Sequence, residues 1–430
     1  MRITRIDTLR LDEFPSLVHV LLHTDEGLVG LGETFFFADA VEAHVHAVAG
    51  YLLGEDPGKV EAHSRALRGY VGTAGSGAEM RAASAVDIAL WDICGQAAGQ
   101  PLHRILGGAC RDSIRTYNTC AGYRYIRDES GQAVMNWGLP GAEAEGPYED
   151  LDAFLSRADE LARDLLAQGI TGMKIWPFDP YAEGSLGHDI RTADLDRALE
   201  PFRKIRAAVG SAMDVMVELH ALWDVPAACR IASALDEFEP AWIEDPVRVA
   251  SPDALAEVQR ATRSPLAVGE TLTGLPAFRD LITRGGAQIV VFDVGWVGGI
   301  TQARKIAALA EAFERPVAPH DCTGPVVYTA ATLAPSDART SREPRSRHCA
   351  SANLAASSNE VSSKGTSVRS RSSRAIVGLL SPSISGRATE APTGVTRWSQ
   401  SEDSLGVSTG TSRIHGRRPR STAIRSIISR

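Results

Sequence analysis

The chain has 430 residues, of which 44% are hydrophobic, so it can form a large core and, we expect, two domains. It has no apolar run of ~18 residues that could span a membrane, and we expect no membrane partner. The formal net charge is −8, but residues 336–430 hold 16 Lys and Arg against 6 Asp and Glu, so the preceding body is strongly acidic. We expect no nucleic-acid partner, because such binding depends on neutralising phosphates.

The first 110 residues predict a separate α+β domain. The chain opens on alternating apolar residues, which is typical of a strand and not of a signal peptide. Two further strands flank the turn at Asp25–Gly27, and helical patterns follow over Ala38–Leu53 and Glu79–Ala98. The glycines of Leu106–Gly108 indicate a hinge into a second domain. Six scattered cysteines without a CxxC pair favour reduced thiols and a cytoplasmic location.

Six apolar runs in the second domain each end in charged residues or histidine. Successive polar ends from Glu218 to His320 lie 23 to 27 residues apart, which leaves room for a strand, a helix and two short loops. Continuous apolar runs are typical of buried parallel strands. We therefore predict a (β/α) barrel over residues 111–334, with its chemistry at the strand ends. The runs are Met173–Trp176, Asp214–His220, Ala241–Pro246, Leu266–Glu270, Ile289–Asp293 and Pro316–Asp321.

Two long segments interrupt the barrel repeat. A first barrel strand is predicted at Ile114–Cys120, and the Gly- and acid-rich residues 122–150 that follow are too long for an ordinary connection. A helix predicted at Leu151–Gln168 leads to the second strand, after which an insertion at Pro177–Thr192 precedes a helix at 195–208. Because long loops at a barrel rim often carry function, we expect both segments to border the site.

The helix and strand pattern ends after Ala334. Residues 336–430 hold 23 Ser and 15 Arg with few aromatic residues, a composition too poor in apolar groups to offset chain entropy. We predict that residues 335–430 are a disordered tail or the product of a shifted reading frame. The barrel is then incomplete at its C-terminal end and exposes a strand edge.

Glu218, Glu244 and Glu270 lie at the ends of three consecutive predicted strands. Adjacent parallel strands are about 4.8 Å apart, so the three carboxylates converge. Like charges at such distances repel unless a cation lies between them. A hard divalent ion with oxygen ligands, most simply Mg²⁺, meets that need. The alternative is three solvated carboxylates in separate ion pairs, which their regular succession disfavours.

Two histidines and a lysine complete the candidate site. His320 ends the last predicted strand, and Asp293 on the neighbouring strand could hold its imidazole in one tautomer and raise its basicity. His220 lies two residues beyond Glu218 and could donate a proton to a leaving group, or serve only as a hydrogen-bond partner. Lys174 could bind a substrate carboxylate or act as a base.

These groups together predict one type of reaction. A divalent ion stabilises the enediolate that forms when a proton α to a carboxylate leaves. With a second proton donor nearby, that intermediate can expel a β-hydroxyl group. We therefore predict the dehydration of a hydroxy acid.

Over residues 1–333 the chain resembles the enolase superfamily, in particular its mandelate racemase-like subgroup. The resemblance rests on the helix segment Ser84–Asp92, the turn at Leu106–Gly108 and the five strand-end residues already named. It implies an α+β capping domain on a modified (β/α) barrel, with loops near Phe14–Gly30 closing over the substrate. It also implies that the three glutamates are Mg²⁺ ligands and that His320 is the catalytic base, paired with Asp293.

The spacing of Glu218 and His220 is similar to that of acid-sugar dehydratases such as galactonate dehydratase, in which the histidine is the general acid. Racemases of the subgroup carry Lys-x-Lys on the second strand, whereas Lys174 is followed here by Ile175 and Trp176. The resemblance thus implies a homo-oligomeric dehydratase that converts a sugar acid to a 2-keto-3-deoxy acid. Alternatives are a racemase or epimerase of a 2-hydroxy acid, or an inactive remnant, because the eighth-strand glutamate of the family has no counterpart after Ala334.

Overall fold

A computed structural model describes residues 1–11, 14–68, 75–109, 114–121 and 150–320, together with the backbone of strands 349–351 and 395–399. These residues form an N-terminal α+β domain and a curled parallel sheet with helices, so the predicted fold class is confirmed. The predicted boundary at residue 110 lies outside the described residues, as do most of the 122–150 loop and most of the 335–430 tail. Within the described ranges, no helix combines the length and the hydropathy that crossing a bilayer requires.

The N-terminal domain is an antiparallel sheet with helices packed on one face. Val18, Val20 and Leu22 of the second strand are fully buried in the core that this sheet forms with its helices. The longest helix packs directly on the third strand. Glycine at position 32 permits this close approach, because a Cβ there would fall 1.8 Å from the carbonyl oxygen of Ala85. The strands are β1 (Ile3–Leu11), β2 (Phe14–Thr24) and β3 (Val29–Phe35), and the helices are α1 (Ala38–Val48), α2 (Val60–Leu67), α3 (Ala78–Ala98) and α4 (Leu102–Ile105).

The second domain is a parallel sheet whose first seven strands are adjacent in chain order. Its strands are β4 (Arg115–Thr119), β5 (Gly172–Ile175), β6 (Asp214–Glu218), β7 (Trp242–Glu244), β8 (Leu266–Val268), β9 (Ile289–Asp293) and β10 (Val317–His320). The helices are α5 (Asp150–Ser156), α6 (Ala158–Ala167), α7 (Asp179–Ser185), α8 (Thr192–Val209), α9 (Val225–Leu235), α10 (Pro252–Arg260), α11 (Leu275–Thr283) and α12 (Gly299–Ala312). The six strands predicted from Met173 onward are confirmed, but the helix predicted at Leu151–Gln168 is divided at Arg157, whose backbone is not helical.

The register of the parallel strands brings the predicted site residues side by side. Glu218 on β6 pairs with Glu244 on β7, and His320 on β10 pairs with Asp293 on β9. Glu270 follows β8 by two residues. All five residues therefore lie at the carboxyl edge of the sheet, where parallel barrels carry their chemistry.

Two short strands lie in the tail for which we predicted no regular structure. β11 (Cys349–Ser351) pairs in parallel with β4, and β12 (Val395–Ser399) pairs antiparallel with β1. The two strands have three and five residues, too few for a periodic pattern to be recognised within the Ser- and Arg-rich composition. Within the described residues no pairing joins β11 to β10, so the sheet is open between them, as the predicted incomplete barrel requires.

Helix α3 attaches the N-terminal domain to the start of α12. The hydroxyl oxygen of Ser84 accepts a hydrogen bond from the Gly298 N–H at 2.9 Å, and Asp87 Oδ2 accepts one from the Thr301 N–H at 2.9 Å. The indole N–H of Trp91 donates to Thr301 Oγ1 at 2.9 Å. The bonds to Ser84 and Asp87 satisfy N–H groups that a helix start leaves without partners, which accounts for these two polar residues of the Ser84–Asp92 segment.

We expect the Asp87→Ala substitution to lower the free energy of unfolding by about 1–2 kcal/mol, because Thr301 loses its acceptor. Asp87→Asn keeps an acceptor and is the matched control. Burial raises the pKa of Asp87 from its ordinary value of 3.8 to about 7, so the folded chain binds more protons than the unfolded chain between these two values. The stability of the wild type should therefore fall, relative to Asp87→Asn, as the pH rises from 4 to 7. Urea unfolding across this range measures both effects, and equal stability of the Ala and Asn variants would contradict the role given to Asp87.

Candidate active site

Three carboxyl groups converge at the carboxyl edge of the sheet. One oxygen from each of Glu218, Glu244 and Glu270 lies within 4.8 Å of the others. Glu218 and Glu244 are 1% exposed, which excludes the alternative of solvated carboxylates for these two. The convergence predicted from strand spacing is therefore present in the structure.

Lys174 lies between two of these carboxyl groups. Its Nζ atom is 2.8 Å from Glu218 Oε2 and 2.6 Å from Glu244 Oε1. Burial disfavours the charged form of Lys174, but the negative charges of Glu218 and Glu244 outweigh burial and raise its pKa above the usual range. The lysine therefore contacts the carboxylates directly, at the carboxyl end of β5.

One ammonium does not balance three carboxylates. Burial raises the pKa of Glu244 to about 8 and that of Glu270 to about 7, and in both cases the charge of Glu218 adds to the shift. The pKa of Glu218 falls to about 2, because Lys174 and His220 outweigh its burial. Burial and the neighbouring charge thus oppose ionisation of Glu244 and Glu270, whereas Lys174 and His220 favour ionisation of Glu218. A divalent cation would allow all three to ionise, and an all-oxygen donor set suits Mg²⁺.

One ring nitrogen of His320 faces the carboxyl trio, and the other contacts the carboxylate of Asp293. Its Nδ1 atom is 2.7 Å from Asp293 Oδ2, and its Nε2 atom is 3.1 Å from Glu270 Oε2. Asp293 is fully buried and also accepts a hydrogen bond from the Gly295 N–H at 2.8 Å. The carboxylate fixes the ring orientation and leaves Nε2 as the atom directed at the site.

His220 forms a second imidazole–carboxylate pair. Its carboxylate partner was not predicted from the sequence. His220 Nδ1 is 2.7 Å from Asp179 Oδ2, and Asp179 is fully buried on α7 within the insertion at 177–192. The backbone N–H of His220 also donates to Glu218 Oε1 at 3.0 Å. Burial lowers the pKa of His220, but Asp179 and Glu218 outweigh burial and raise it to about 9. The only signal for Asp179 was the prediction that its insertion borders the site.

Aromatic rings flank both histidines. The Trp176 ring lies 5.7 Å from the ring of His220, and the Trp296 ring lies 5.3 Å from that of His320. Arg81 of the N-terminal domain lies over Trp296, with its Cζ atom 4.5 Å from the ring centroid. The N-terminal domain thus contributes to the surroundings of His320, although none of its residues was predicted as a site residue.

The structure brings all the predicted site residues together at one edge of the barrel sheet. These residues are Lys174, Glu218, His220, Glu244, Glu270, Asp293 and His320. Asp179 and the buried Asp245 belong to the same cluster but were not predicted; Asp245 Oδ1 accepts a hydrogen bond from the Gly269 N–H at 3.3 Å. The arrangement offers one cation site and two imidazoles, each with its own carboxylate.

Two family models match the chain. Residues 12–107 match the N-terminal domain of mandelate racemase and muconate lactonizing enzyme, and residues 157–366 match the enolase C-terminal domain-like family. The chain is 30% identical over 332 residues to D-galactonate dehydratase from Xanthomonas axonopodis pv. citri, and the match covers 77% of each protein. It is 31% identical over 333 residues to D-galactonate dehydratase from Ralstonia nicotianae, with the same coverage.

Solved structures also resemble the chain. An enolase of the mandelate racemase subgroup from Agrobacterium tumefaciens, crystallised with sodium and phosphate, is 43% identical with a TM-score of 0.69; the match covers 82% of this chain and 84% of that one. An enolase protein from the Sargasso Sea environmental genome is 40% identical with a TM-score of 0.69, and the match covers 81% and 84% of the two chains. The chain therefore belongs to the mandelate racemase and muconate lactonizing enzyme family within the enolase superfamily.

Proposed function

We propose that the chain is a Mg²⁺-dependent dehydratase that converts a sugar acid to a 2-keto-3-deoxy acid. One observation carries this proposal. The imidazoles of His320 and His220 each contact a carboxylate of their own, and both lie beside the same carboxyl trio. Dehydration needs two proton transfers, one from the α-carbon and one to the departing hydroxyl group, and the site offers a separate imidazole for each. The dehydratase activity named for the relatives from Xanthomonas and Ralstonia supports the same reaction.

Glu218, Glu244 and Glu270 are the residues that would hold the Mg²⁺ ion in this proposal. The bound ion would supply positive charge that stabilises the enediolate left by loss of the α-proton. Lys174, which contacts two of the three carboxylates, contributes a fixed positive charge at the same place. Its position next to Glu218 and Glu244 favours the role of charge stabiliser over that of base.

His320 is the proposed base. Its Nδ1 is engaged by Asp293, so Nε2 is the atom that accepts the α-proton, and the buried carboxylate stabilises the imidazolium that results. His220 is the proposed acid. Its pairing with the buried Asp179 favours the protonated ring, which can donate a proton to the leaving hydroxyl group.

The racemase alternative needs a second base on the other face of the substrate. Trp176 occupies the position of the second lysine in subgroup racemases and cannot accept a proton. His220 would then have to take that role. The two reactions give different products, which a single assay separates.

We expect the wild type with Mg²⁺ to form a 2-keto-3-deoxy product from at least one member of a panel of aldonic and aldaric acids that begins with D-galactonate. Semicarbazone absorbance measures the product, and NMR in D₂O measures exchange of the α-proton. His320→Asn should abolish both signals. Deuterium exchange with inversion and no keto acid would support the racemase alternative. Mg²⁺ binding with neither signal on any acid would support an inactive remnant.

We expect Glu270→Gln to weaken Mg²⁺ binding by about 10- to 100-fold, because even groups that only orient a ligand have effects of that size. Glu257→Gln makes the same chemical change on the exposed face of α10 and is the matched control. Isothermal titration calorimetry with Mg²⁺ alone measures the affinity without substrate. Equal affinities for the two variants would show that the trio is not the cation site.

We expect Asp179→Asn to separate the two proton transfers. Product formation should fall by about 10²- to 10⁴-fold, the usual contribution of a general acid, while solvent exchange of the α-proton persists because His320 and Asp293 are unchanged. Glu183→Gln, an exposed substitution on the same helix, is the control. A parallel loss of exchange and product in Asp179→Asn would mean that Asp179 supports the whole site and not the acid alone.

A further inference from the structure

The tryptophan side chains differ in how their indole N–H groups are satisfied. Of the five that the structure describes, Trp91 and Trp242 donate to protein oxygens, Thr301 Oγ1 and Glu244 Oε2. The other three, which are Trp176, Trp223 and Trp296, are each only 2% exposed, and their Nε1 atoms have no hydrogen-bond partner in the described structure. A buried N–H donor without an acceptor is uncommon, because it loses its hydration and gains nothing in return.

Two of these three indoles lie against the proposed catalytic imidazoles. Trp176 directly follows β5, and its ring is 5.7 Å from that of His220. Trp296 follows β9 by three residues, and its ring is 5.3 Å from that of His320. Trp223 has no ring contact with either imidazole among the described residues and takes no part in the inference.

The position of Trp176 at the end of β5 supports a place beside the site. Lys174 precedes it by two residues and reaches the carboxylates of Glu218 and Glu244. Trp176 comes directly after the end of this strand, so it lies close to the same edge of the sheet. The Phe154 ring also contacts Trp176, edge-on with 5.2 Å between the ring centroids, and supplies no acceptor oxygen.

We infer that the indole N–H groups of Trp176 and Trp296 donate hydrogen bonds to hydroxyl oxygens of the bound acid, one beside each imidazole. This inference rests on the proposed function and deepens it by naming the feature of the substrate that the site selects. A polyhydroxylated acid carries acceptor oxygens along its whole chain, whereas a deoxygenated acid leaves both donors buried without partners. Sites built around such donors discriminate strongly against substrates that lack the matching oxygen.

The test compares acids that have the same carbon chain with and without hydroxyl groups. The pairs are D-galactonate with hexanoate and galactarate with adipate, titrated by calorimetry in the presence of Mg²⁺. All proteins carry His320→Asn to prevent turnover. Trp176→Phe and Trp296→Phe remove the N–H group and keep an aromatic ring. Trp91→Phe is the matched control, because its N–H group already has a protein acceptor at the contact between the two domains.

We expect Trp176→Phe and Trp296→Phe each to weaken binding of the preferred hydroxy acid by about 5- to 100-fold and to leave its hydroxyl-free counterpart unchanged. Trp91→Phe should lower the melting temperature and leave both affinities unchanged. Equal weakening of both acids would assign the effect to ring packing and overturn the inference. A parent protein that prefers neither hydroxy acid to its counterpart would overturn it as well. Selective binding without any product from the wild type would refute dehydration and still support the two donors.

Discussion

The rest of this structure depends on one constraint, which is the concentration of buried acidic groups at the carboxyl edge of the parallel sheet. Glu218 and Glu244 are placed side by side by strand register, and Glu270 reaches the same point from the next strand. Lys174 neutralises part of that charge, and two of the three carboxyl groups keep raised pKa values in spite of it. On strands whose other residues are largely apolar, the ammonium of Lys174 offsets part of the cost of burying these acids. The same charge also explains why both imidazoles approach the trio.

The N-terminal domain is attached close to His320 and not at a remote surface. Ser84 and Asp87 hold the start of α12, which follows the loop that carries Trp296. The hydroxyl of Thr34 donates to the carbonyl oxygen of Gly295 at 2.7 Å in that same loop. The position of the ring beside His320 is therefore set by both domains. The capping domain acts as a structural part of the site, in addition to any covering of the substrate.

The residues that the sequence predicted well are those whose positions follow from strand periodicity. Glu218, Glu244, Asp293 and His320 end continuous apolar runs. Parallel pairing brings such ends to one edge of the sheet, independently of the length and conformation of the loops. Asp179 was not predicted, because it reaches His220 from an irregular insertion 41 residues away in the chain, where no period relates the two positions. The direct contact of Lys174 with Glu218 was missed for a different reason: the sequence shows which residues share a strand end but not which charges touch. The pairing of β11 and β12 depends on backbone hydrogen bonds, which composition does not report.

His320 lies on β10, which within the described part of the sheet is hydrogen-bonded on one side only, to β9. Glu218 and Glu244 lie on interior strands that have neighbours on both sides. Strand edges open more readily than interior strands, because fewer hydrogen bonds must break together. Local fraying would thus separate His320 from Glu270 while Glu218 and Glu244 stayed in place. The spacing between this imidazole and the carboxyl trio is therefore the part of the cluster that we expect to be most sensitive to warming.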